Sequence, residues 1–323
     1  MSAASTASGL ILVAPVFNEE RIVARFLERV FAVAAAADIR GVVIVDDGSH
    51  DETCAAIREY LSRAPSPRPK VRLLRLSRNF GHQVAVVAGI QAAVAWAEQA
   101  GFAFVGLIDA DLQDRPEDLM ALLAAVREAD VAYGVRASRS EGLMFRVAAA
   151  TFHWLLARTA RFNIPRDAGT FSVMRLRAAR VVAAESHQAP YFPALRAWVG
   201  FRQVGVPLAR DVRADDSSRV GPLGLLRLAM TALLSFSDLP LSFLVVMATL
   251  TILGSICAAL LMVGLKLAGL VQVQGTALIL ISIFLSLGIQ SMQLALLAHA
   301  LGRARAEASR SAGYVVMADE AGL

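Results

Sequence analysis

Lysine is nearly missing from this chain of 323 residues. Lys70 and Lys266 are the only two, so arginine carries the positive charge that leaves the net at +5. Cysteine is as scarce: Cys54 falls in an expected helix of the first half and Cys257 inside a long apolar run. The two cannot pair, and no spacing suggests zinc or a disulfide framework. The turn after the first expected strand reads Pro15-Val-Phe-Asn-Glu19 and lacks G-x-G-x-x-G, which excludes the usual dinucleotide cradle. No internal repeat or low-complexity tract stands out. Met1 to Gly9 is small and polar, and Leu10 to Val16 is too short and too uncharged at its front for a signal peptide. The first 230 or so residues are therefore expected to stay in the cytoplasm.

Charge itself is absent from Leu239 to Leu265 and again from Leu267 to Gly302. Each run exceeds the roughly 20 residues that a bilayer-spanning helix needs. We read two transmembrane helices, about 241–265 and 275–299, joined by a turn at Gln272-Val-Gln-Gly275. The alternative is a buried hairpin of a soluble protein. Arg227 precedes the first run and Arg303, Arg305 and Arg310 follow the second, while the turn carries at most Lys266. By the positive-inside rule both ends face the cytoplasm. Val220 to Phe236, apolar but for Arg227, reads as an amphipathic helix lying on the membrane. The expected organisation is thus an α/β domain over 1–219, a juxtamembrane helix over 220–238, two spans within 239–302 and a cytoplasmic tail over 303–323. Gly254, Ser255 and Ala258 offer a weak small-residue pattern for a homo-oligomer.

What is present in the first half is strand alternating with helix. Apolar strands are expected at Leu10–Pro15, Gly41–Asp46, Val71–Leu76, Phe102–Ile108 and Val131–Arg136, with helices between them, giving a doubly wound, mostly parallel sheet. Asn18 is expected to cap the first helix. The fourth strand ends in Asp109-Ala-Asp111-Leu-Gln113-Asp114. Open α/β sheets bind ligands outside the carboxyl ends of their strands. Alternation in an extended segment would point Asp109 and Asp111 the same way, and neighbouring carboxylates repel unless a cation neutralises them. Hard oxygen ligands beside phosphates suit Mg²⁺ or Mn²⁺. The other reading is that these acids are solvated loop residues. Asp114 with Glu117 has the form of a capping box for the next helix, Pro116 being tolerated in its first turn. Between Arg136 and Arg227 there are 15 arginines, no lysine and six acids. Such a basic face suits anionic lipid headgroups or phosphate substrates, and the membrane runs argue against nucleic acid.

In order, Pro15-x-Phe-Asn-Glu19, Val45-Asp-Asp-Gly-Ser-x-Asp-x-Thr53, Ser77-Arg-Asn-Phe-Gly81 and Asp109-Ala-Asp-Leu-Gln-Asp114 resemble the GT-A fold, family 2 glycosyltransferases. More narrowly, the chain is similar to the membrane-anchored polyprenyl-phosphate glycosyltransferases, such as bactoprenol glucosyltransferase and dolichol-phosphate mannose synthase. The likeness runs through Ala168-Gly-Thr-Phe171 and Trp198-Val-Gly-Phe201 to the apolar runs. The resemblance implies that Pro15, Phe17, Glu19, Asp47, Asp109 and Ala110 bind the nucleotide. Asp109, Asp111 and Gln113 would handle the metal and diphosphate. Arg136 and Arg146 would reach phosphates of donor or acceptor. Arg213, in Arg213-x-x-Asp216-x-Ser218-Arg219, would bind the donor and Arg219 would also serve catalysis, on a loop closing over the diphosphate. It further implies an inner-membrane enzyme with its catalytic domain in the cytoplasm. A polyprenyl phosphate would attack the nucleotide-sugar with inversion.

Two departures stand against the pattern. Asp216 replaces a glycine, and Thr170, at the acceptor side, stands where many relatives carry an Asp suspected of base work. A phosphate monoester has a second pKa near about 6, so the acceptor needs little help in losing its proton. Two rivals remain. A polysaccharide synthase usually carries Gln-x-x-Arg-Trp and more spans, whereas here only Arg196-Ala-Trp198 occurs. A catalytically silent sugar-nucleotide binder or partner-binding membrane protein is the other. Arg78, Asn79 and His82 are read as ordering a loop or touching substrate, Trp198 as core or interface, and Asp46 as accepting bonds from the Gly48-Ser49 turn.

Overall fold

The computed structural model describes residues 8–136, 168–185, 192–208 and 313–323, with scattered positions between 246 and 304. Four parallel strands form the centre: β1 (Leu10–Val16), β2 (Ile39–Asp46), β3 (Lys70–Leu76) and β4 (Phe104–Leu107). Helices α1 (Val23–Val33), α2 (Thr53–Arg63) and α3 (His82–Ala100) provide the crossovers between them. A short 3₁₀ turn, Pro116–Asp118, and α4 (Leu119–Ala125) lead to β5 (Val131–Arg136). Then come β6 (Ala168–Arg175), α5 (Leu176–Ala184), α6 (Phe192–Trp198), β7 (Gln203–Leu208) and β8 (Val316–Ala321). The sheet runs β7-β5-β6-β4-β1-β2-β3-β8. The doubly wound expectation holds for the centre, but β6 and β8 are antiparallel to their neighbours, so the sheet is mixed.

Apolar residues on both faces of the central strands explain the two helical layers. Leu10, Leu12, Ala14 and Val16 of β1 join Phe26, Leu27 and Val30 of α1, Ile57 and Leu61 of α2, and Leu119 and Leu122 of α4 in one core. The alternate residue Val13, with Val45 of β2, faces α3. There Gly89 lets the helix backbone lie so close that an added Cβ would overlap Val13 Cγ1.

Two expected caps are replaced by tertiary contacts. Ile22, not Asn18, is the residue before α1, and it makes no side-chain cap bond. Asn18 instead takes φ +54°, its N–H donating to Ser49 Oγ and its Oδ1 accepting from His50 N–H. The expected Asp114–Glu117 box is likewise not the cap of the next turn. Arg115 precedes the 3₁₀ turn without a side-chain cap, Asp114 is buried, and Glu117 accepts from Arg29 Nε and Nη2 at 3.2 and 2.7 Å.

The chain divides into two compact units, Met1–Ala232 with Ser311–Leu323, and Leu233–Arg310. The described residues of the second unit are helical apart from a turn at 268–269. Val246, Leu250, Leu253, Ile279, Ile283 and Leu294 there expose their side chains. Among the described residues no helix is long and apolar enough to cross a membrane. Most of 241–265 and 275–299, and all of the juxtamembrane helix 220–238, lie outside the described residues.

Candidate active site

Strand direction collects the site. Because β1, β2, β3 and β4 are parallel, Phe17, Asp47, the Ser77–Gly81 loop and Asp109 all follow carboxyl ends along one edge of the sheet. Since β6 runs the other way beside β4, with Ser172 opposite Leu107, its amino end brings Thr170 to the same edge. Val135 pairs with Ala168, so β5 delivers the backbone of Arg136 there too. The Arg136 side chain, and Arg146, Arg213, Asp216 and Arg219 entirely, lie outside the described residues.

The first two loops are stapled to each other. Asn18 N–H donates to Ser49 Oγ, and Glu19 N–H to Thr53 Oγ1 at 2.8 Å. Glu20 N–H reaches Asp51 Oδ2, and Glu52 N–H returns to Glu20 Oε2. This fixes Pro15, buried at the end of β1, and half-buried Phe17, whose ring meets His50 edge-on at 6.4 Å. Asp46 is structural, as its neighbour turn suggested. Fully buried, it accepts from Ser49 N–H at 3.0 Å and from Cys54 Sγ, and pairs with Arg75 Nε at 3.2 Å. Burial first, then that carboxylate, pushes the Cys54 thiol up to about 12, so it stays a neutral donor.

Asp47 holds the next loop. Its Oδ1 accepts from Phe80 N–H at 2.8 Å and its Oδ2 from Gly81 N–H at 2.9 Å. Burial raises its pKa, and those two bonds oppose the rise. A carboxylate has about four acceptor sites, and these two bonds occupy two of them on a side chain that is almost fully buried. Gly48, at φ +71°, lets the two loops touch backbone to backbone at Arg78 and Asn79.

The Asp109–Asp111 pair does not come from an extended strand. β4 ends at Leu107, and the acids sit in a turn in which Leu112 is buried at φ +61°. Asp111 Oδ1 accepts from Gln113 N–H at 3.1 Å, closing that turn. Ala110 is buried beneath it. Asp109 keeps 20% of its side-chain surface open. Its Oδ2 accepts from Thr170 Oγ1 at 3.0 Å, while Oδ1 is enclosed and has no hydrogen-bond donor among the described residues. His82 Nε2 lies 3.5 Å from that Oδ1, too long for a hydrogen bond. Desolvation raises the Asp109 pKa, with Asp114 and Asp111 adding to the rise and His82 and Thr170 opposing it.

An under-neutralised acid of this kind fits a divalent cation. Among the described residues no three Asp, Glu, His or Cys side chains converge on one point. A Mg²⁺ ion bound by one or two carboxylates needs no such cluster, because substrate phosphates and water complete its shell.

The structure places two residues at or beside the site, one that the sequence left open between ordering a loop and touching substrate, and one that it did not assign there. His82, opening α3 after the Ser77–Gly81 loop, lies 3.5 Å from Asp109. Its position right after a strand-end loop, opening a helix, was the available signal. Arg196 is the other. It is fully buried, while Trp198, expected in core or interface, is 41% exposed. Its guanidinium lies 4.4 Å from the Tyr133 ring centroid, and Nη1 donates to Gly169 O at 3.3 Å, one residue before Thr170.

A sheet edge with acids after β2 and β4 invites comparison with known proteins, and the family model for glycosyl transferase family 2 matches residues 11–182. The chain belongs to that family. This glycosyltransferase is 33% identical over 233 residues to an uncharacterized glycosyltransferase of Bacillus subtilis, covering 71% of this chain and 69% of that one. It is 27% identical over 301 residues to the undecaprenyl-phosphate 4-deoxy-4-formamido-L-arabinose transferase of Pectobacterium carotovorum, covering 90% and 88%. Among solved structures, glucosyl-3-phosphoglycerate synthase from Mycobacterium tuberculosis superposes with a TM-score of 0.45 at 15% identity, covering 72% of this chain and 79% of that one.

Proposed function

We propose that this glycosyltransferase moves a sugar, with inversion, from a nucleotide-sugar to a polyprenyl phosphate at the cytoplasmic face of the inner membrane. The observation that carries the acceptor class is the Thr170 hydroxyl donating to Asp109. A side chain engaged as a donor to a carboxylate is no general base, so the nucleophile suited to this site brings its own negative oxygen. A phosphate monoester does so near neutral pH. Further support comes from the family membership, from similarity to an undecaprenyl-phosphate sugar transferase over 90% of the chain, and from the outward apolar side chains of the second unit.

In the mechanism, a phosphate oxygen of the acceptor forms a bond to the anomeric carbon from the face opposite the leaving group. The bond from that carbon to the diphosphate breaks, and its electron pair leaves on the nucleoside diphosphate. Pro15, Phe17, Glu19, Asp47 and Ala110 line the nucleotide side. Asp109, Asp111 and Gln113 would hold a divalent ion, Mg²⁺ or Mn²⁺. Bound there, it supplies Lewis-acid stabilisation of the departing charge. Arg213 and Arg219 neutralise the diphosphate, while Arg136 and Arg146 hold the acceptor phosphate beside Thr170. The apolar runs would anchor the enzyme to the bilayer that carries the lipid acceptor.

The test incubates membranes containing the full chain with a panel of labelled nucleotide-sugars and undecaprenyl phosphate. One sugar should appear in the organic phase, released by mild acid. Label in a water-soluble polymer would point to a polysaccharide synthase. No transfer from any donor, with nucleotide still bound, would mark a silent binder.

A further inference from the structure

The C-terminal strand is the strongest feature that the reaction has not used. β8 pairs antiparallel with β3, with Leu73 opposite Glu320 and Leu74 opposite Asp319. Period-two alternation sends these two acids to opposite faces of the sheet. On one face Glu320 accepts from Arg58 Nε and Nη2 at 3.0 and 2.5 Å; on the other Asp319 accepts from Arg72 at 2.8 and 2.5 Å. Arg58 lies on α2, directly after the loop that carries Asp47, and Arg72 lies on β3, directly before the Ser77–Gly81 loop. At the top of the strand Val315 O accepts from Ser77 N–H at 2.9 Å, and Tyr314 OH donates to Gln91 Oε1 of α3 at 2.6 Å. β8 therefore grips α2, β3 and α3, the elements that carry both loops meeting at Asp47.

We infer that β8 is a positioning strap for the donor side of the site, holding the Ser77–Gly81 loop so that Phe80 and Gly81 N–H present Asp47 to the nucleotide. The inference rests on the donor reading of Asp47 given above. An edge strand alone would satisfy the backbone of β3. What exceeds that task is the pair of two-pronged arginine clamps, one to each face, plus a bond to the first residue of the loop itself. Bidentate arginine–carboxylate pairs add geometric definition as well as attraction.

The test uses the full chain in lipid nanodiscs. D319R/E320R reverses both clamps without touching a residue placed in the site. Amide exchange at Phe80 and Gly81 should quicken at least about tenfold, and the donor KM should rise at least about fivefold with kcat within about twofold, a KM-against-kcat split that marks lost binding common to ground and transition states. Adding R58E/R72D restores the pairs with reversed sign and should return both readings. If D319R/E320R fails to fold, E320Q supplies the same readings in milder form. Unchanged exchange at Phe80 and Gly81 while β8 itself opens would overturn the inference. So would a fall in kcat with KM unchanged. Faster loop exchange with an unchanged donor KM overturns it too, provided D47N still raises the donor KM. If D47N also leaves the donor KM unchanged, the donor reading of Asp47 has failed instead.

Discussion

At the scale of single residues, the site is a balance of negative charge. Asp109, Asp111 and Asp114 crowd one turn, and Asp109 answers with a raised pKa while Thr170 and His82 offset part of the cost. Asp111→Asn removes a charge at nearly constant shape. Initial rates should fall to near zero at all divalent-ion concentrations, and equal rates with and without added ion in the parent protein would remove the metal from the account. Thr170→Ala deletes a bond to a carboxylate, worth about 1.5–3 kcal/mol. If all of it reaches the barrier, transfer slows roughly ten- to hundredfold. Thr170→Ser should recover most of the rate, and Thr170→Asp should not exceed the parent, because it sets an anion beside an anionic nucleophile. A faster Thr170→Asp enzyme would mean that this position serves as a base after all. Gly48 and Gly101 make a paired test of backbone strain. Both have positive φ, but a Cβ at Gly48 would overlap the Arg78–Asn79 backbone, whereas nothing lies within 4 Å of one at Gly101. Gly101→Ala should cost about 1 kcal/mol in denaturant titrations. Gly48→Ala should cost clearly more and weaken nucleotide binding, by parting the two loops.

At the scale of elements, what could be read beforehand was whatever the chain encodes locally. The apolar runs ending in Asp46 and Ile108, and the Ile22, Phe26, Val30 spacing of α1, mark buried strands and a core-facing helix without reference to anything distant. Asn18 shows where this stops. Its sequence context suits a cap, but Ser49 and His50, 31 and 32 residues away, capture it instead. Arg196 was legible only as part of Arg196-Ala-Trp198 for a similar reason, since Gln203, Gly169 and Tyr133, which hold the arginine inside, are distant in the chain or lie on other strands. β8 was read as a tail, because six residues including Asp319 and Glu320 carry no strand signal apart from their partner β3. Its clamps give a pH prediction. Arg72 holds Asp319, and Arg58 holds Glu320, below the ordinary carboxylate range. Carboxylates depressed on folding contribute stability in full above their unfolded values, about 3.9 and 4.3, and lose it as pH falls through the lower folded values. The melting-temperature gap between the parent and D319N/E320Q should therefore be constant from about pH 7 to 5 and close below about pH 4. A gap that widens in acid would contradict the clamps.

At the scale of the whole molecule, β7 leaves the sheet at Leu208 and β8 returns to the same sheet at Val316. A chain that departs from one domain and rejoins it crosses any intervening bilayer an even number of times. Zero crossings meet that condition as well as two, so the two proposed spans rest on the apolar runs and the arginines that flank them. A cysteine introduced near Gln272 should be labelled from outside intact cells, and one at Ser311 should not. The reverse pattern would put the sheet on the wrong side for a cytoplasmic nucleotide donor. The most direct measurement of the central claim is transfer itself. With the full chain in nanodiscs, a divalent ion and a labelled nucleotide-sugar, added undecaprenyl phosphate should release nucleoside diphosphate and labelled polyprenyl-phosphate sugar in equal amounts, with the anomeric configuration inverted. Nucleoside diphosphate released at the same rate without lipid phosphate, or sugar recovered only in a product that lacks the lipid, would contradict it.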